Sequence, residues 1–307
     1  MPLDLKDEPS VSVVIPAYKA RNYLKESLSS VATQDYPNLE VLVIDDCSPE
    51  PIDDILAEYA ENSSAPPHRL LRHEKNQGLG ASRNTGIKNA RGEYIALLDH
   101  DDVWKPDHVS NLMRHLLQDK ADLAFCSVIQ FESDPETSLG LWGPPNNELE
   151  EDFVFSLFKM SFITPSATLI RRTSLLHSKG FSTEPSVHMC EDLDLWLRLI
   201  QSGAKISFSK SPTAYYRKHP AAATSRPGYM AYQSAYVRQI HMKNIVAPWF
   251  QKRSIVARSW WAAFNTLAMA DRIRPDVLLK AIQTSLPVPW EALRGLVHLF
   301  RGWQKKF

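Results

Sequence analysis

Two short β-branched runs, Val11-Ser12-Val13-Val14-Ile15 and Glu40-Val41-Leu42-Val43-Ile44, end in Pro16 and Asp45, as buried parallel strands do. Between them Leu24, Leu28 and Val31 recur at helical spacing within residues 20–33, so the first 45 residues predict a βαβ unit. Leu70-Leu71 marks a third strand, residues 79–90 a helix, residues 94–98 a fourth strand and residues 122–130 a fifth. Residues 51–61 read as a further helix, and another begins near Pro106. This alternation implies a Rossmann-like, doubly wound and mostly parallel α/β sheet with helices on both faces. Residues 131–150, rich in Pro, Gly, Asn and Glu, read as a long loop. Beyond them lie strand candidates at 166–170 and 205–208, a helix at 192–203 and a turn at Pro212 that leads into Tyr215-Tyr216-Arg217. From Gly228 onward the pattern is helical and rich in tryptophan, which divides the chain into a sheet domain, 1–228, and a helical C-terminal extension, 229–307.

A chain of 307 residues, 44% hydrophobic and 10% aromatic, can bury a sizeable core as one large α/β domain or one domain with an appendage. Cys47, Cys126 and Cys190 are odd in number and widely spaced, so they indicate neither a disulfide framework nor a zinc site and favour a reducing compartment. The first ten residues are acidic and lack an apolar run, and no stretch of about 18 apolar residues is present to span a bilayer. The expectation is a cytoplasmic protein, soluble or peripheral at the cytoplasmic face of the membrane.

Charge changes the picture more. Residues 1–230 carry 23 basic and 32 acidic side chains and residues 231–307 carry 12 and 3, so a body of charge −9 is joined to a tail of charge +9. In the tail, Trp290, Leu293, Leu296, Val297, Phe300 and Trp303 recur at helical spacing beside Arg294, Arg301, Lys305 and Lys306. Such a face has two readings: a helix lying on an anionic membrane, or a helix packed on its own domain or on a second subunit. The oligomeric state stays open. The tryptophans show no base-stacking pattern, which argues against nucleic acid as a partner.

The candidate chemistry sits where strands end. Tyr94-Ile95-Ala96-Leu97-Leu98 runs straight into Asp99, His100, Asp101 and Asp102. Alternate aspartates there can hold a hard divalent cation against phosphate oxygens, or can form a solvated turn capping the next helix. Pro16-Ala17-Tyr18 and Asp45-Asp46 fall at the same sheet edge. Tyr18 and Asp46 offer an aromatic face and a polar partner to a nucleotide base, or else a loop anchor and a helix cap. Glycines 78, 80 and 86 read as turn or close-approach positions rather than a dinucleotide fingerprint. Glu191-Asp192 heads a helix pinned by Leu195, Leu199 and Ile200. It is either a catalytic carboxylate pair or an acidic start favoured by the helix dipole, for which Asp194 serves equally.

Five segments in order resemble the family 2 glycosyltransferases of GT-A fold: Val-Ser-Val-Val-Ile-Pro-Ala-Tyr at 11–18, Val-Leu-Val-Ile-Asp-Asp-Cys-Ser at 41–48, Asn-Gln-Gly-Leu-Gly-Ala-Ser-Arg-Asn-Thr-Gly at 76–86, Leu-Leu-Asp-His-Asp-Asp at 97–102 and Glu-Asp-Leu-Asp-Leu-Trp-Leu-Arg-Leu at 191–199. The resemblance implies an inverting transferase with a nucleotide-diphosphate sugar donor, uridine diphosphate linked, and a saccharide or lipid-linked acceptor, serving polysaccharide or glycolipid biosynthesis. It implies a divalent metal, Mn2+ or Mg2+. By resemblance Pro16, Ala17 and Tyr18 form the nucleotide loop and Asp46 contacts the nucleoside, with Arg83 nearby. Asp99 lies near ribose and metal, Asp101 is on the metal, and Asp102 stands behind it or is an added ligand. Asp192 is the general base, with Glu191 its neighbour in the acceptor site. Tyr216-Arg217-Lys218-His219, followed by Thr224-Ser225, resembles the closing segment, in which Arg217 approaches the diphosphate and His219 the metal, unless His219 is a solvated residue of a basic turn. Cys190 departs from the small residue usual before the acidic pair.

Two other functions compete. Nucleotidyl transfer would want a glycine-rich basic loop after the first strand, which Pro16-Ala17-Tyr18-Lys19 lacks. A non-catalytic sugar-nucleotide-binding module would carry damaged metal or base positions, and these are intact.

Overall fold

The computed structural model describes residues 8–149, 152–220, 227–270, 272 and 274–304. In chain order the elements are β1 (Val11–Ala17), α1 (Leu24–Ala32), β2 (Leu39–Asp45), α2 (Asp53–Glu61), β3 (His68–Arg72), α3 (Leu79–Asn89), β4 (Tyr94–Leu97), β5 (Val103–Trp104), α4 (His108–Gln118), β6 (Leu123–Phe131) and β7 (Gly140–Trp142). Then follow α5 (Phe153–Lys159), β8 (Thr168–Arg171), α6 (Arg172–His177), α7 (Glu191–Gln201), β9 (Ile206–Arg217), α8 (Pro227–His241), α9 (Trp249–Met269), α10 (Pro275–Ser285) and α11 (Pro289–Gln304). They form two compact units. One comprises Met1–Glu151, Phe162–Thr183 and Arg198–His219, the other Asp152–Ser161, Glu184–Leu197 and Pro220–Phe307.

The first unit is built on a mixed sheet of order β3-β2-β1-β4-β8-β6-β9-β5, with β7 on β6. Every residue of β1 is buried, as its unbroken apolar run requires of a strand covered on both faces. β1 pairs in parallel with β2 and with β4, and β2 pairs in parallel with β3. From β1 the chain therefore builds outward to β3 on one side and returns to add β4 on the other. That reversal is a topological switch point, where α/β sheets open a crevice at the strands' carboxyl ends. The helix α3 lies close on this sheet because Gly86 has no side chain: a Cβ there would stand 2.3 Å from Val14 Cγ1. Gly78, at φ 89°, takes the left-handed backbone that starts α3.

Within this mostly parallel sheet β8 runs antiparallel to both β4 and β6, and the short β5 and β7 antiparallel to their partners. One expectation changes. Pro212 does not end a strand: β9 runs from Ile206 to Arg217, pairing in parallel with β6 on both sides of a register shift. Residues 210–213 make the irregularity, and it accommodates a proline that has no N–H to give a ladder.

The second unit is helical and centred on α9. Its Trp260 and Trp261 are buried, and their Nε1–H groups donate to Gln239 Oε1 (2.7 Å) and Ser285 Oγ (2.9 Å). Gly295 of α11 lets that helix approach, since a Cβ there would fall 2.2 Å from the Trp261 ring. Asn265 Nδ2 also donates to the Gly295 carbonyl at 3.0 Å. Trp290, Leu293, Leu296 and Val297 of α11 are exposed. The side chains of Phe300, Arg301 and Trp303, like Lys305 and Lys306 and the pair Thr224-Ser225, lie outside the described residues.

One buried group of the sheet unit makes stability pH-dependent. His108 is fully buried, stacks on Trp104 at a ring separation of 4.5 Å and shares a 2.8 Å hydrogen bond with Thr213 Oγ1. Burial holds its pKa down at about 3. The unfolded chain therefore takes up a proton near pH 6.5 that the folded protein refuses, and this stabilisation is present above pH 6.5 and lost as pH falls toward 3. We predict a loss of about 1.4 kcal/mol per pH unit from this group across that window, absent in His108→Gln. Urea unfolding of both proteins near neutrality and in mild acid measures the difference in slope.

Candidate active site

The turn after β4 gathers the carboxylates. Asp102 is buried, and its two oxygens accept from different parts of the chain: Oδ1 from the Arg217 backbone N–H (2.9 Å) and Oδ2 from Ser166 Oγ–H (2.5 Å). Ser166 Oγ in turn accepts the Asp99 backbone N–H at 3.0 Å, and the Ser166 carbonyl accepts Trp104 Nε1–H at 2.6 Å. Burial raises the Asp102 carboxyl well above the usual range, and the neighbouring Asp101 and Asp99 add to the effect. This residue clamps the turn while Asp99 and Asp101 stay partly exposed.

Asp99 receives two bonds from Arg83 Nη2, at 2.7 and 3.0 Å. Arg83 is buried and packs over the Phe181 ring with its guanidinium carbon 5.1 Å from the centroid. Asp101 Oδ2 stands 2.9 Å from His219 Nε2, and the His219 ring packs against Tyr23 at 4.9 Å. The structure thus brings Asp99, Asp101, Arg83 and His219 to one strand end, together with His100, whose Nδ1 lies 3.1 Å from the Pro16 carbonyl.

Arg217 sits behind this group. Its side chain is 4% exposed and lies between the rings of Phe131 (4.4 Å) and Tyr23 (4.8 Å). It donates to the Asp101 carbonyl (2.8 Å), the Glu132 carbonyl (3.2 Å) and the Glu26 carboxylate. With those donors engaged and the side chain covered, the guanidinium braces the aspartate turn from beneath instead of facing the crevice.

Asp46 is likewise buried. It accepts the backbone N–H groups of Gln77 (2.8 Å) and Gly78 (2.7 Å) and pairs with His73 Nδ1 at 2.7 Å, so it shapes the turn that opens α3. Its own N–H donates to the Ala17 carbonyl at 2.8 Å. Asp45 accepts from Ser48 N–H and from Arg72 Nε, at 2.9 and 2.8 Å. Tyr18 is exposed at the same edge, beside Lys19 in a left-handed conformation. Of the network, the sequence reading missed Ser166, Glu26, Trp104 and His73. Each lies outside the recognised segments except for the fold that brings it in, so no local signal marks it.

Glu191 and Asp192 belong to the helical unit, in the first turn of α7. Leu195 and Trp196 of the helix are buried, Glu191 is buried and Asp192 is half-buried, its Oδ1 accepting the Leu193 N–H at 2.7 Å. Asp194 faces inward and pairs with His241 Nε2 of α8 at 2.9 Å. Cys190 is a packed thiol, 3.7 Å from the Met230 carbonyl, and burial pushes its pKa up, reinforced by Asp192 and Glu191.

Among the described residues no group of three or more His, Cys, Asp and Glu side chains is arranged as a metal-ligand set. Asp101 and His219 nevertheless place a carboxylate oxygen and an imidazole nitrogen side by side, a donor pair that suits a cation whose remaining positions are filled by phosphate and water. Nor is any described helix long and apolar enough to cross a membrane.

In α/β sheets ligands bind in the crevice outside the strands' carboxyl ends at the switch point, and here that edge carries the aspartate turn. The chain belongs to glycosyl transferase family 2, whose sequence profile matches residues 12–177. EpsH of Bacillus subtilis (strain 168), named for glycosyl transfer, is 29% identical over 224 residues, 72% of this chain and 64% of EpsH, so the chain spans under two thirds of that relative. Among solved structures, S. aureus TarS 1-349 in complex with UDP-GlcNAc aligns at TM-score 0.68 and 20% identity, covering 90% of this chain and 79% of that one. A mannosyltransferase from Pyrobaculum calidifontis, in complex with GDP-Man and Mn2+, aligns at 0.64 and 18% identity, covering 98% and 88%. At such identities these likenesses speak for the fold, which is GT-A.

The brace makes a stability prediction. Arg217→Met should lower the unfolding free energy by about 2–3 kcal/mol, because it leaves buried carbonyls without donors. Glu26→Gln, whose carboxylate is half-exposed, should cost under about 1 kcal/mol. Denaturant titration of both variants gives the comparison.

Proposed function

We propose that the protein is an inverting glycosyltransferase that moves a sugar from a nucleoside-diphosphate donor, uridine diphosphate linked, to an acceptor hydroxyl, with a divalent metal and with Asp192 as general base. The observation that carries this reading is the Asp99–Asp102 turn at the switch point, with Arg83 against Asp99 and His219 against Asp101. Family membership supports it.

In this reading the exposed Tyr18 edge and the loop that Asp46 holds receive the nucleoside, while Asp99, oriented by Arg83, takes a ribose hydroxyl. Asp101 and His219 would hold Mn2+ or Mg2+, which when bound neutralises charge on the leaving diphosphate. Arg217 positions Asp101 by gripping its carbonyl. The Asp192 carboxylate accepts the acceptor hydroxyl's proton as that oxygen bonds to the anomeric carbon and the sugar–phosphate bond breaks on the opposite face, releasing the nucleoside diphosphate. Asp192 stands in the first turn of α7, where the helix dipole favours negative charge. The acceptor is a saccharide or a lipid-linked glycan.

Three outcomes test the reading. Asp101→Ala should abolish transfer and metal-dependent donor binding together, and wild-type activity that survives chelation would refute the metal role. Asp192→Asn should leave donor affinity nearly unchanged while lowering turnover by about 10² or more; an equal loss of donor binding would make Asp192 a donor ligand or a structural residue. Nuclear magnetic resonance of the product should show a β linkage from an α-linked donor, and retained configuration would rule out inversion.

A further inference from the structure

One end of the helical unit presents a surface that neither the fold nor the transfer reaction explains. There α9 begins, α10 ends and α11 begins. Arg253 of α9 ties this end to α10 by donating from Nε to the Thr284 carbonyl at 3.1 Å, and Phe250 of α9 and Trp290 of α11 line one cavity of about 300 Å3. In ordinary packing such a hairpin end is polar. Here Val246 is 90% exposed and Leu286 is 74% exposed, and Trp249, Phe250, Trp290 and Leu293 are also exposed. By contrast Trp196, Trp260 and Trp261 of the same unit are buried.

The exposed charge lining the cavity is basic. Lys159, Arg258 and Arg294 line the same cavity as the aromatic rings. The carboxylate among them, Glu291, is 1% exposed, accepts from Ser254 Oγ–H and from Trp290 Nε1–H at 3.1 Å, and lies 3.7 Å from Arg258 and 3.5 Å from Arg294, so one buried acid faces two arginines whose side chains stay 53% and 63% exposed. Elsewhere in the unit Asp276 is already paired with Arg274 at 2.8 Å.

We propose that this end of the helical unit is a docking surface for an anionic lipid bilayer, with Val246, Trp249, Leu286, Trp290 and Leu293 entering the interface and Lys159, Arg258 and Arg294 meeting lipid phosphates. Aliphatic and tryptophan side chains over a basic rim are the composition of an interfacial anchor. A second copy of the chain fits less well, because a twofold contact would set these cations against their own counterparts while the cavity's carboxylate, Glu291, is buried. A soluble anionic ligand would use the rim and leave Val246 and Leu286 bare. Each basic side chain at an anionic surface strengthens partitioning roughly fivefold, an effect that salt screens. The proposal is independent of the transfer reaction and is read without it.

The test is flotation of the purified full-length chain with vesicles of phosphatidylglycerol or of phosphatidylcholine, at low and high salt. The wild type should float with phosphatidylglycerol at low salt, and only weakly with phosphatidylcholine or at high salt. The triple variant Val246→Asp, Leu286→Asp, Leu293→Asp should stay at the bottom of the gradient while keeping its circular dichroism melting curve. Because these side chains are exposed the fold should survive; if it does not, Arg258→Gln with Arg294→Gln replaces it and should cut binding by about 20-fold or more. A wild type that does not float, that floats equally with both lipids, or that floats unchanged in a folded variant overturns the proposal. So does a wild-type dimer that the triple variant converts to a monomer, which would make the face a contact between copies.

Discussion

The carboxylate of Asp102 is the constraint on which the sheet unit's site depends. It is buried where an ionised group is costly, and it persists because both oxygens are bonded, one to the backbone of β9 and one to a serine leading into β8. Those two bonds fasten the turn after β4 to strands that enter the sheet long after it in sequence. With the turn fixed, Asp99 and Asp101 project from a rigid edge, and Arg217 seals the underside through the Asp101 carbonyl. Asp102 is thus held for structure, while its neighbours remain available for chemistry.

Charge is arranged in graded burial around this point. Arg83 is buried and pairs with the partly exposed Asp99, and His219 with the partly exposed Asp101. Each acidic group that faces the crevice therefore has a cation or imidazole beside it. That restrains the like-charge repulsion among three aspartates before any ligand arrives. The helical unit treats its acids similarly: Asp194 turns inward to His241, and Asp192 remains half-buried at the start of α7.

Much of this was legible in the sequence because local patterning carried it. The apolar runs of β1, β2 and β4 announce themselves, and the aspartates follow β4 directly. Glycines 78 and 86, read as turn and close-approach positions, prove to be a left-handed helix start and a helix–strand contact. What local pattern could not carry is long-range. Ser166 reaches Asp102 across 64 positions and Glu26 reaches Arg217 across 191, and neither has a neighbour that marks it. Pro212 looks like a strand breaker because the rule considers one chain, whereas the partner strand tolerates a bulge. The tryptophans of the tail were ambiguous for the same reason: helical spacing alone cannot tell the buried Trp260 from the exposed Trp290.

The central claim is that the edge formed by Asp99, Asp101 and His219 holds a metal against a nucleoside diphosphate. Anomalous diffraction at the manganese edge, from crystals grown with Mn2+ and uridine diphosphate, tests it most directly. The account predicts a single strong peak in bonding reach of Asp101 and His219, with diphosphate oxygens on its far side and the base beside Tyr18. A nucleotide bound at this edge with no anomalous peak, or a peak coordinated by other residues, would contradict it.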